Sequence, residues 1–141
     1  MLKTPPQAAN SPKLAESEKI TINLGFVDLG HIDLLVAERF YSNRTDFIRT
    51  AIRNQLGTHA EAVRQVLTRK MLVLGLQHFS VDDLTKLQQA QEQLHIRVLG
   101  LASIANDVTP ELALATIASL HVLGALHASP AVKAALASRT T

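Results

Sequence analysis

The strongest constraint on this 141-residue chain is one short strand with nothing nearby to pair with. Residues 19–24 read Lys-Ile-Thr-Ile-Asn-Leu, so apolar Ile20, Ile22 and Leu24 alternate with polar Lys19, Thr21 and Asn23. Strict alternation with β-branched residues predicts a half-buried strand whose apolar side is committed to a core. Gly25 follows as a breaker, and no second strand lies within hairpin distance. An unpaired strand leaves backbone donors and acceptors without partners, and its edge invites association. Pairing with the same strand of a second chain, antiparallel across a two-fold axis, solves both problems and makes the dimer obligatory.

Two helices are predicted after the strand. Residues 28–40 carry Leu29, Ile32, Leu35, Val36 and Phe40 at helical spacing, with Asp28 as the expected cap. In residues 43–56 the apolar face is Phe47, Ile48, Ala51, Ile52 and Leu56. Ser42 is the expected N-cap, Thr45 and Asp46 occupy the first turn, and Gly57 is the expected stop. Both helices would pack beneath the intermolecular ribbon.

The segment Ser42-Asn43-Arg44-Thr45-Asp46-Phe47-Ile48-Arg49-Thr50-Ala51-Ile52-Arg53, downstream of that strand, resembles the ribbon-helix-helix (Arc/MetJ-like) family of DNA-binding proteins. The resemblance covers residues 19–56. It implies a dimeric ribbon entering the major groove of double-stranded DNA. On that resemblance Lys19, Thr21 and Asn23 read bases. Lys donates to guanine O6 or N7, Asn pairs with adenine N6 and N7, and Thr donates, accepts or meets a thymine methyl. The Ser42 hydroxyl and the backbone amides of Asn43 and Arg44 would hold a DNA phosphate at the helix N-terminus. For Arg49 and Arg53 three roles stay open: phosphate contact, pairing across the dimer, or solvation. Gly25-Phe26-Val27-Asp28 stands where many relatives have Pro and an acid, and Phe26 is expected under the ribbon.

Charge agrees in direction. The net charge is only +2, but residues 1–70 hold ten Lys/Arg against seven Asp/Glu, and residues 71–141 hold four against five. The excess gathers at Arg39, Arg44, Arg49 and Arg53, a patch able to attract phosphate. Residues 1–18, with Pro5, Pro6 and Pro12, read as a flexible arm in which Lys3 and Lys13 could add phosphate contacts.

The second half carries a repeat. Val73-Leu74-Gly75, Val98-Leu99-Gly100 and Val122-Leu123-Gly124 recur at spacings of 25 and 24. Helix-start signals follow at Ser80-Val81-Asp82-Asp83, Thr109-Pro110 and Ser129-Pro130. The expected unit is a short buried strand and a helix, three times over, stacked as a small β/α solenoid with parallel strands. A helical bundle would bury the same side chains, but Gly75, Gly100 and Gly124 would each weaken a helix. Residues 58–70, with Val63, Val66 and Leu67 on one face, read as a connecting helix.

The expected fold is therefore α+β. It comprises an arm (1–18), a ribbon-helix-helix domain (19–57), a connecting helix (58–70) and a β/α repeat domain for oligomerisation (71–141). Edge strands at Met71–Leu76 or Leu120–His127 could stack on another copy and build tetramers or larger arrays. Ligand sensing is the other reading of this half, but His78, His95, His121 and His127 have no Cys or carboxylate cluster beside them. The chain has no Cys, which excludes disulfides, thiolate metal sites and Cys nucleophiles. An apolar share of 47% with 4% aromatics predicts an aliphatic core. No phosphate-cradling glycine loop, nucleophile–base pair or paired-carboxylate motif supports an enzyme, and no metal or cofactor is expected. No apolar run reaches the roughly 18 residues of a membrane span, so a cytoplasmic, nucleoid-associated protein is expected. The expected function is a sequence-specific DNA-binding regulator, a repressor, working as a homodimer or larger oligomer. An antitoxin that binds a toxin partner and autoregulates its operon is the competitor, though residues 71–141 are too apolar and regular for a disordered inhibitory tail.

Overall fold

The computed structural model describes residues 17–141, so the proposed arm and its Lys3 and Lys13 lie outside the described residues except at its end. The chain forms two compact units, one ending at Arg53 and the other spanning Asn54–Thr141.

In the first unit, residues 17–25 run without helix or strand pairing to the rest of the chain. Helix α1 then spans Phe26–Ala37, and α2 begins at Arg44 and runs to Thr58, across the boundary between the units. Three sequence expectations are corrected here. Helix α1 starts two residues before Asp28: its N-cap is Gly25, with extended backbone and no side-chain cap, and Asp28 sits in the first turn. The cap of α2 is Asn43 and not Ser42, because Asn43 Oδ1 accepts the Asp46 amide at 2.8 Å. The neighbouring Ser42 amide instead donates to Asp46 Oδ2 at 2.9 Å, a capping box displaced by one residue. Gly57 does not stop α2, which continues through it to Thr58. Its φ is not positive, so it is never asked for the left-handed conformation that makes glycine a terminator.

The second unit starts with the end of α2 and α3 (Ala60–Lys70). Arg69 and Lys70 occupy the last turn of α3, where the helix dipole favours cations, and Met71 caps it in the left-handed region (φ 55°). Then come β1 (Val73–Phe79), α4 (Val81–Gln89), β2 (Leu94–Ile104), α5 (Pro110–Thr116), β3 (Ile117–His127) and α6 (Pro130–Leu136), closed by a short 3₁₀ turn. The three strands form one parallel sheet in the order β1-β2-β3. The helix starts follow the sequence signals. Ser80 and Asp83 form a reciprocal capping box, and Thr109 and Ser129 each cap a helix whose first residue is Pro.

The register matches the sequence repeat: Val73, Val98 and Val122 align, as do Gly75, Gly100 and Gly124. Helices α4, α5 and α6 cover one face of the sheet. Leu84, Ala113, Val132 and Leu136 from the helices pack there on Ile96, Val98, Ala102 and Ile104 of β2. This aliphatic cluster is the main core of the described residues. In the first unit, only Ile32 is buried among them.

Candidate nucleic-acid interface

Lys19, Thr21 and Asn23 lie in segment 17–25, which forms neither helix nor strand, all three exposed. Their apolar alternates are not enclosed in the single chain either: Ile20, Ile22 and Leu24 are 75%, 60% and 37% exposed. Ile22 and Leu24 face a mainly apolar hollow of about 390 Å³, lined also by Asp28, His31 and Ile32 of α1 and by Phe47, Ile48, Ala51 and Ile52 of α2. Apolar side chains of residues 17–25, α1 and α2 thus line one space that is open in this chain. Phe26, expected beneath the ribbon, is 92% exposed in the single chain.

A bidentate ion pair ties the two helices. Arg44 Nε and Nη2 each stand 2.8 Å from an Asp33 carboxylate oxygen. The hydrogen bonds from Arg44 hold the Asp33 carboxyl below its ordinary range and raise the Arg44 guanidinium in turn. Tyr41 and Phe47 meet edge to face, ring centres 5.0 Å apart, fixing the turn to the start of α2.

At that start, the amides of Asn43, Arg44 and Thr45 meet no acceptor among the described residues, while the Asp46 amide is taken by Asn43. The Arg44 side chain is held by Asp33 through Nε and Nη2, which leaves its backbone amide and Nη1 for an anion. Ser42 lines a hollow of about 300 Å³ together with Arg39, Phe40 and Asp46. Sequence reasoning gave Arg39 to the cationic patch but not to this turn. The missed signal is its backbone, which has φ 65° as the chain leaves α1 and turns back toward α2. Arg49 and Arg53 are exposed and form no ion pair among the described residues.

A model of the ribbon-helix-helix transcriptional regulator family matches residues 15–133. The chain belongs to this family. The match spans residues 19–24, helices α1 and α2 and nearly all of the β/α unit. The match thus extends over the sheet, beyond residue 56 where the sequence resemblance ends. Regulators of the ribbon-helix-helix family bind DNA and dimerise, and they are normally non-enzymatic. No curated protein and no solved structure matches the chain significantly. No helix among the described residues is long and apolar enough to cross a membrane.

Proposed function

We propose that this chain is a sequence-specific transcriptional repressor that binds operator DNA as a homodimer. Residues 19–24 of two chains pair antiparallel and enter the major groove. Lys19, Thr21 and Asn23 read base edges, while Ser42 with the amides of Asn43 and Arg44 grips a phosphate on each side. Repression follows from occupying the operator.

The observation that carries this reading is the open apolar space around Ile22, Leu24, Ile32, Phe47 and Ile48. A strand and two helices that bury one side chain between them have too little core to hold together alone. A second copy brought up about a two-fold axis supplies the missing half. Pairing the two strands buries their apolar sides and leaves Lys19, Thr21 and Asn23 outward. Three unpartnered amides at the α2 N-terminus supply the anion site such a ribbon needs at its flanks.

The antitoxin reading is disfavoured by the second unit. Residues 71–141 hold the sheet and its buried cluster, not an extended tail that folds on a partner.

The test is titration of Thr21→Ala and Asn23→Ala chains against operator and unrelated DNA at one stated salt concentration. Each variant should lose about tenfold or more in operator affinity and keep the salt-dependent affinity for unrelated DNA. If both retain full discrimination, the strand is not the reader.

A further inference from the structure

The glycines at mid-strand form a ladder with a direction. Gly75, Gly100 and Gly124 align across the sheet, with φ of 125°, 140° and 121°. Side-chain-bearing residues rarely adopt such angles. A Cβ on Gly100 would collide with the Gly75 carbonyl, and one on Gly124 with the Gly100 carbonyl. Each glycine therefore offers a notch to the strand before it and a carbonyl to the strand after it. At the two edges of the sheet one half of this fit is left over. Nothing lies within 4 Å of the place a Gly75 Cβ would take, so its notch opens on empty space. By the same repeat, the Gly124 carbonyl points outward from the far edge.

Part of that far edge is covered among the described residues. The Thr141 amide donates to Leu120 O at 2.9 Å, and His121 Nδ1 stands 3.2 Å from Thr141 O. Beyond His121 the edge of β3 is uncovered among the described residues. Carried through β2, the register aligns Val73 with Val122 and His78 with His127. The uncovered stretch Val122–His127 thus matches Val73–His78 of β1 in length and register. Neither stretch contains Lys, Arg, Asp or Glu, the charges with which natural edges resist pairing. Leu74 and Leu123, in one register row, are 68% and 47% exposed.

We propose that the β3 edge of one copy pairs in parallel with the β1 edge of the next, the Gly124 carbonyl seated in the Gly75 notch. The occupant of each edge is a second copy of this chain, since that copy carries the complementary half of the ladder. Antiparallel pairing of β1 with β1 would set notch against notch and leave both Gly124 carbonyls unused. The contact is head to tail, so copies either close into a ring or continue as a row. It joins dimers of the DNA-binding unit into larger assemblies and raises DNA affinity through multivalency. It stands independently of the DNA-reading proposal and is read without DNA.

The test uses cysteine pairs, since the chain has no cysteine of its own. Full-length L74C and L123C proteins are oxidised separately and as an equal mixture, and the products are resolved on a non-reducing gel. Circular dichroism confirms that each variant stays folded, which the exposure of both positions favours. Facing residues on paired strands are close enough for a disulfide. The mixture should give several-fold more crosslinked product than either protein alone, and the double variant should give a ladder or closed rings. Crosslinking by L74C alone as strong as in the mixture would show β1 pairing with itself. No crosslink in any sample would show both edges free. Either result overturns the proposal.

Discussion

Single residues decide the sheet more sharply than composition does. Three glycines stand at the same place in three strands, and two of them are required twice over, by a positive φ and by the carbonyl of the preceding strand. Gly100→Ala should therefore destabilise the second unit by about 3 kcal/mol or more, since it adds a backbone clash to a strained conformation. Gly75→Ala should cost less in a chain whose β1 edge is free, because only its φ objects. Urea unfolding of the two variants, read by far-ultraviolet circular dichroism, checks the order; equal midpoints would contradict it. The sequence carried this information as spacing: Val-Leu-Gly at intervals of 25 and 24 is the register itself. It could not carry the cap of α2. Ser42 and Asn43 are both competent caps one residue apart, and the choice fell to Asn43 once Asp46 turned back to the Ser42 amide.

At the scale of elements, legibility followed how local the cause was. Helices α4, α5 and α6 start where Ser80, Thr109 and Ser129 announce them, because capping is settled within four residues. Helix α1 begins early, at Phe26, with a glycine cap that offers no side-chain signal, and α2 runs through Gly57. Neither feature has a composition cue. The tie between α1 and α2 was equally hidden: Arg44 reads as a DNA-facing cation in sequence, yet its side chain is taken by Asp33 eleven residues upstream. That pair has a pH signature. The Asp33 carboxyl is held below its unfolded value by Arg44, so its stabilisation is present above the ordinary carboxylate range and is lost as pH falls through the lowered value. Thermal unfolding followed from neutral pH downward should show a small loss below about pH 4 in the native chain, absent in Asp33→Asn. The loss is small because both side chains are about half exposed. An identical acid profile for the two proteins would mean the pair does not hold the helices together in solution.

For the whole molecule, residues 19–24 form no strand within their own chain, and Ile22 and Leu24 border a space lined by α1 and α2. On the proposed reading a single chain cannot display the ribbon, because its second strand, and half of its core, would belong to another copy. Lys19, Thr21 and Asn23 are proposed as base readers from the sequence, because alternation assigns Ile20, Ile22 and Leu24 to one side and leaves them the other. The family match over residues 15–133 adds the β/α unit to the same architecture. The central claim is that paired strands from two chains read DNA. It is tested most directly by selecting bound sequences from a random DNA pool, at stated salt, with the native protein and a Thr21→Ala, Asn23→Ala double variant. The native protein should enrich a two-fold symmetric site, and the double variant should enrich none while still retaining DNA. Enrichment of the same site by both proteins, or of no symmetric site by the native one, would contradict that claim.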